Sequence, residues 1–517
     1  MIDGKEYQVN SDGSESPDDL LARYASAFVV SVTLVVCLPF LWAISPVGDE
    51  GIWLHAAQRL LDGQVLYRDF FELHPPIGFL AIYSWLTIFG PTLMAARLYV
   101  VVLIILIAWF TFSCCRHVSG RPGISVFLVL CWVFASQGNW TQVNHHWLAT
   151  LMSMVAFWAL TRASGKKQRP IIAGLAASAA TLVTSHRGAL VAIAGLLTLL
   201  LRKSGRSIAL YIASGLGFLA AVVIYLLWQG SIDAAFEQVI LYPIRHYSNI
   251  QGVPYGAFRN GQNVLLTLTF PIAAILVSLR VWQAGIRFFS DGNWPDCLLF
   301  AIVGFAGIFP RPDAVHISFC AVLALPLLAG PMAHFLPETQ TRPFFRFAGA
   351  AIILLFPMVP LGKAAFRVGH AERMESAAGH FSLLRGDGSV ELIERLGKVD
   401  RQEKVFVYPY SPILPFLTKL RHPSSLDVFA PQYTTPSQYF ETCTQVSKEA
   451  DWVVFDIVGS APSSYKSAFP AMDDPSPPEK MAFEHAIKQG FRLDETFGNY
   501  ELRRRVNAAP GCAKILP

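Results

Sequence analysis

The feature that most constrains this chain is a series of apolar runs, each close to the length a bilayer demands. The first covers 24–45, near the ~20 residues a membrane helix needs. Others follow near 93–112, 122–137, 147–161, 171–184, 189–201, 207–229, 262–281, 296–309, 316–335 and 347–362. Several are short, so their ends are soft by a few residues. Of the 517 residues, 53% are hydrophobic and only 15% are charged, against roughly 25% charged in soluble domains. Too little polar surface remains to coat a soluble particle of this size. The pattern predicts a polytopic α-helical membrane protein with about 11 transmembrane helices over 23–362. The polar stretch 1–22 is expected to be a disordered tail; it has no cleavable-signal pattern. The net charge of +5 is small and makes no case for nucleic acid.

Residues 76–90 (PIGFLAIYSWLTIFG) decide the topology. If they cross the membrane, every later loop changes sides. If they lie in the interface, one set of loops holds Arg116, Arg121, Arg162, Lys166, Lys167, Arg169, Arg202, Lys203, Arg206, Arg280, Arg287, Arg342 and Arg346. Beyond the first loop, the opposite set holds only Arg187, Arg245, Arg259 and Arg311. Basic loops stay in the cytoplasm. The interfacial reading therefore puts the N-terminus in the cytoplasm. It puts loops 46–92, 138–146, 185–188, 230–260 and 310–316 outside, together with the tail after 362.

That tail, 363–517, has a different texture. KVFVYPY (404–410), DWVVFDIV (451–458) and GNYELRRR (498–505) read as strands, with a helix at 479–489. A small extracytoplasmic α/β domain is expected. Of eight cysteines, only Cys443 and Cys512 fall in a polar region. They either pair in an oxidising compartment or remain two thiols.

The chemistry concentrates in the first outside loop, GDEGIWLHAAQRLLDGQVLYRDFFELHPPIGFL (48–80). Asp49 and Glu50 follow the first span. Paired carboxylates at a membrane boundary are costly and often functional, although carboxylates also suit a solvated helix N-terminus. Ile52, Ala56, Leu60 and Leu61 then give helical periodicity along the membrane surface. Tyr67, Asp69, Glu72 and the turn His74–Pro75–Pro76 complete the loop.

This order of span, Asp-Glu, amphipathic helix, acidic residues, His-Pro-Pro and interfacial helix resembles the first outside loop of the GT-C class of membrane glycosyltransferases. It is most similar to the protein O-mannosyltransferase, lipid A aminoarabinose transferase and rhizobial lipopolysaccharide sugar-transferase-like families. The match covers about 50 residues. The resemblance implies inverting transfer of a hexose or pentose from a polyprenyl-phosphate sugar donor to an acceptor on the outer face, in a bacterial inner membrane. By position Asp49 matches the catalytic acid, with Glu50 beside it. His74 matches the Lys or His before Pro-Pro that faces the donor phosphate. Arg311, in FPRPDAVH (309–316), is the leading further phosphate ligand, and Arg187, in SHRG (185–188), is the next. An Arg311–Asp313 salt bridge is the plainer alternative for the first, and headgroup contact for the second.

Weaker substrate-binding candidates are Tyr67, Asp69, Asp313, His316 and Arg245; the last lies in the aromatic-rich outside loop 230–260. His145 and His146 adjoin at a membrane boundary, where a structural role is favoured. Together with Asp49, Glu50 and His316 they make a divalent metal site conceivable, though no spacing shows one. A transporter is the rival class. It predicts broken helices at matching places in two halves, whereas the polar residues here gather at one side. A non-catalytic lipid-linked-sugar-binding relative is a third reading, against which intact Asp49 and Glu50 argue.

Overall fold

The computed structural model describes residues 17–44, 48–161, 167–285, 287, 294–335, 355–384, 386–506 and 511–515. Its first part is a helical bundle: α1 (Pro17–Cys37), α2 (Glu50–Leu61), α3 (Pro76–Phe89), α4 (Leu93–Ser119), α5 (Pro122–Ser136), α6 (His145–Thr161), α7 (Gln168–Thr181), α8 (Ser185–Leu201) and α9 (Gly205–Trp228). Further helices cover Thr269–Ala284 and Trp294–Ala306. The described part of each apolar run from 24–45 to 316–335 is mostly helical, and the run 347–362 lies mostly outside the described residues. Among the described residues, Asp19–Leu41, Leu93–Ser119, Gly205–Trp228 and Val264–Ala284 are long and apolar enough to cross a bilayer. Ala314–Leu323 and Leu325–His334 form a fifth stretch, bent by 60°. The chain is an integral membrane protein. α1 starts at Pro17, so 17–22 belong to a helix and not to the expected tail.

Two ends of the bundle are distinguishable. At one, Asp19 in the first turn of α1 lies 3.5 Å from Arg116 near the end of α4. Trp158 of α6 donates to Ser113 of α4 at 3.2 Å, and Arg202 at the end of α8 donates to the Leu160 carbonyl at 2.6 Å. The first turn of α1, Arg116 and Arg202 therefore share an end. At the other end sit Glu50, the start of α4, the 138–146 turn and the start of α8.

α3 covers 76–89 of the segment 76–90. Its start is tied by the Ile77 amide to the Leu182 carbonyl at 3.0 Å. Its last turns are tied by Trp85 Nε1 to the Ala95 carbonyl at 2.7 Å. Thr92 caps α4 immediately afterwards. Both ends of α3 lie at one end of the bundle, and 14 residues at 1.5 Å each make about 21 Å. Gly90, at φ 89°, makes the turn between α3 and α4.

Two sheets follow. β1 (Ala43–Ile44) pairs in parallel with β3 (Gly379–Leu384), which pairs antiparallel with β2 (Ala371–Ser376). The second sheet has the order β4 (Val405–Tyr408), β5 (Trp452–Asp456), β7 (Tyr500–Arg505), β6 (Phe491–Phe497). Its β4–β5 pair is parallel and the others antiparallel. The strand readings at 404–410, 451–458 and 498–505 and the helix at 479–489 match β4, β5, β7 and Pro478–Gly490. β6 and the β2–β3 hairpin are further strands. Alternation splits the sheet's two faces. Val405, Val407, Val454 and Leu502 join the core of the helical part. Phe406, Tyr408, Val453 and Phe455 form a second core with Phe429, Tyr439 and Phe483. The tail is therefore packed against the bundle through a continuous apolar core. A Cys443–Cys512 disulfide ties the end of the chain to the helix Pro436–Glu449.

Candidate active site

The two carboxylates after the first span are neighbours with different partners. Glu50 is 2% exposed and grips Arg97 of α4 in a fork, Oε1 to Nε and Oε2 to Nη2, both at 2.5 Å. The Val143 amide adds a third bond to Oε1 at 3.1 Å. Arg97 also donates to the Phe40 and Thr141 carbonyls. The pair locks the turn after α1, α2, α4 and the 138–146 turn together.

Asp49 occupies the N-cap position of α2, but its side chain does not cap the helix. Its Oδ1 instead accepts the Tyr410 hydroxyl, from just beyond β4. Gly51 permits this approach: a Cβ there would lie 2.3 Å from the Ile413 amide nitrogen. Burial, then the Asp49 charge, pushes the Tyr410 hydroxyl well above its ordinary range, and the same two causes raise Tyr247.

A second group of side chains surrounds the His-Pro-Pro turn. Tyr67, at φ 69° and 2% exposed, donates to the His74 carbonyl at 2.7 Å and so pins the turn. The His74 ring centroid lies 4.2 Å from that of His145, tilted by 31°; His145 lies 3.9 Å from His146, itself 4.9 Å from His316. Trp53, one turn beyond Asp49, touches both His74 and His145. Burial, then neighbouring His186, lowers His74 to about 4. A histidine held there is neutral near pH 7, so His74 is a hydrogen-bonding group and not a standing cation.

Arg187 lies against these rings. It is 1% exposed, and its Nη2 is 3.4 Å from His146 Nδ1. Its Nε and Nη1 have no hydrogen-bond partner among the described residues. Gly188 sets the depth: a Cβ there would lie 2.0 Å from the Thr181 amide nitrogen, so α7 and α8 meet backbone to backbone. Arg311 is placed otherwise. It donates to Asp313 at 3.0 Å, to Gln251 at 3.4 Å and to the Ala468 carbonyl at 2.7 Å, and sits against Phe258 and Phe469. Asp313 caps the next helix through the Val315 and His316 amides and bonds the His316 ring at 2.9 Å. Asp69 pairs with Arg68, and Arg245 with Glu237, both at the surface. Among the described residues, no three His, Cys, Asp or Glu side chains are grouped to hold a metal ion.

The sequence matches no protein-family model and no curated protein. Its fold does have solved counterparts. The crystal structure of ArnT from Cupriavidus metallidurans bound to undecaprenyl phosphate matches with a TM-score of 0.57 at 13% identity, over 96% of this chain and 100% of that one. The apo state of the same protein gives 0.53 at 13% identity, over 93% and 97%. The arabinofuranosyltransferase AftD from Mycobacteria also gives 0.53 at 13% identity, over 94% of this chain but only 40% of AftD. The chain has the GT-C fold.

Within this GT-C fold, the structure brings together His74, Arg187 and His316, with Tyr67 behind them, while Asp49 stands at the start of α2. It leaves Asp69 and Arg245 at the surface. It also adds residues that sequence reasoning does not single out. Tyr410 has no local signal. Arg97 has one, a charge one turn into an apolar run. A buried cluster joins α2 to the tail: Asp427 accepts from His55 and Arg59 at 2.7 Å each, and His422 lies 3.1 Å from Arg59. Burial alone would raise the Asp427 carboxyl, but Arg59 and His55 hold it well below the usual range. Burial lowers His422 to about 3.

Proposed function

We propose that this protein is an inverting glycosyltransferase that takes a sugar from a polyprenyl-phosphate donor at the outer face of a bacterial inner membrane. The observation that carries the reading is Arg187, a buried guanidinium that, among the described residues, has two nitrogens without a hydrogen-bond partner and no carboxylate in salt-bridge contact. A buried charge without a counter-charge is strongly unfavourable. A phosphate supplies the missing charge, and a guanidinium fork matches its geometry. The GT-C fold and the undecaprenyl phosphate bound to ArnT support this choice of anion. Arg187 is closed over in this structure, so the donor phosphate enters by parting the side chains around it.

The proposed chemistry is a single displacement. The acceptor hydroxyl attacks the anomeric carbon as its proton passes to Asp49. The bond from that carbon to the phosphate oxygen breaks, and polyprenyl phosphate leaves with the electron pair, its charge held by Arg187. His74 and His316 are neighbours able to bond the phosphate or the sugar. Glu50 serves the site by fixing α2 against α4. The tail and the loops at 46–92, 138–146, 185–188 and 310–316 lie outside in this reading.

Cells lacking the protein are expected to accumulate a polyprenyl-phosphate sugar and an acceptor short of one residue. Wild-type protein added to their solubilised membranes should consume that donor. Asp49→Asn should slow consumption by about 10²–10⁴-fold, the scale of losing a general base. Transfer at the wild-type rate would remove Asp49 from the role.

A further inference from the structure

The hydrogen bond on Asp49 comes from the far part of the chain. Tyr410 is 361 residues away in sequence. It is the one hydrogen-bond partner of the Asp49 side chain among the described residues, and it engages Oδ1. The contact rests on backbone packing. Residues 412–413 press on the first turn of α2 so closely that Gly51 has no room for a Cβ. Ile413, Leu414, Phe416 and Leu417, in the short helix that follows, are almost wholly buried in the same core as Trp53 and Leu54. With β4 paired to β5 on its other side, the segment that carries Tyr410 is anchored on both sides of the bond.

A carboxylate at a helix start ordinarily turns back to cap the helix. Asp49 does not; its Oδ1 accepts the Tyr410 hydroxyl instead. We propose that Tyr410 is a positioning residue for the catalytic base. Its hydroxyl fixes the rotation of the Asp49 carboxylate and leaves Oδ2 to receive the proton of the acceptor hydroxyl. The inference rests on Asp49 being the base. Tyr410 keeps its own proton throughout, in keeping with burial and the Asp49 charge raising its hydroxyl. The tail is then part of the active site and not only a covering for it.

The test is a double-mutant cycle on the full chain. Purified protein is added in excess to solubilised membranes of cells lacking it, and loss of the accumulated lipid-linked sugar is followed in a single turnover. Tyr410→Phe should slow transfer about tenfold without changing the binding of undecaprenyl phosphate. Asp49→Asn combined with Tyr410→Phe should be no slower than Asp49→Asn alone, because Tyr410 acts only through that carboxylate. Losses that multiply would overturn the inference, since a structural role would cost the same with or without the base. Should Tyr410→Phe fail to fold, replacing Tyr410 by 3-fluorotyrosine keeps the ring and alters the donor strength. A several-fold change in rate is then expected, and an unchanged rate overturns the proposal. If Asp49→Asn is itself fully active, the proposed base is wrong. If Asp49→Asn is inactive and Tyr410→Phe matches wild type, only this inference falls.

Discussion

Glu50 and Asp49 show how one residue of offset decides between an architectural and a chemical carboxylate. Both were legible from the sequence as a pair at the end of a span; their division of labour was not. Glu50 faces Arg97, 47 residues away, and Asp49 faces Tyr410. Glu50→Gln leaves Arg97 buried without its counter-charge, a loss of about 3–5 kcal/mol. The expected outcome is a lower melting temperature and poor yield in detergent; full stability with lost transfer would return Glu50 to the chemistry. The two arginines separate in the same manner. Arg187→Ala should weaken undecaprenyl phosphate binding to the purified protein by about 1.5–3 kcal/mol, the scale of a charge-assisted hydrogen bond. Arg187→Lys should restore only part, lacking the fork. Arg311→Ala should leave that binding in place and lower stability, since Arg311 is bonded to Asp313, Gln251 and Ala468. The reverse pattern would make Arg311 the phosphate ligand.

Among the elements, α3 and the disulfide carry the sharpest expectations. α3 was readable as an element because Pro75–Pro76 and Gly90–Pro91 bracket a short apolar run. The β2–β3 hairpin was not readable, because its strand β3 also pairs with the two-residue β1, more than 330 positions earlier. Cys443 and Cys512 were open between a bridge and two thiols; the fold brings their Cα atoms to 5.8 Å. The bridge closes a 69-residue separation, which in the loop-entropy account is worth about 4 kcal/mol. Cys443→Ala should lower the melting temperature accordingly, with the helix Pro436–Glu449 and the chain end loosening first. In native cells both thiols should resist a membrane-permeant maleimide until a reductant is added. Labelling without reductant would place the tail in a reducing compartment and reverse the proposed orientation.

The whole molecule is expected to be acid-sensitive. His74 and His422 are lowered to about 4 and about 3, against ~6.5 in an unfolded chain. Between those values the unfolded state binds more protons than the folded one. Their contribution is therefore complete above pH 6.5 and is lost as pH falls towards 4, by at most ~1.4 kcal/mol per pH unit for each histidine. Asp427, also lowered, adds a further loss below the ordinary carboxylate range. Melting temperatures in detergent should fall steadily from pH 7 to 4.5, and His422→Gln should flatten the slope. A flat profile would contradict the buried, neutral state of both histidines.

Apolar runs, basic loops and strand-like segments were set by the sequence alone. Each depends on residues within about 20 positions, where burial needs only the right period and composition. The positions of α1, α3, β4, β5 and β7 follow from such patterns, and so does the choice of the first loop as the place to look. What only the tertiary structure decided is which polar groups are satisfied. A guanidinium is structural or available according to whether a carboxylate lies within ~4 Å; here Arg97 meets Glu50 of α2, and Arg311 meets Asp313. No local pattern encodes that Arg311 meets the Ala468 carbonyl, that Asp49 meets Tyr410, or that Arg187 is buried beside His146 with no carboxylate partner among the described residues. Those meetings follow from the packing of helices and sheet into one core, and they assign the roles.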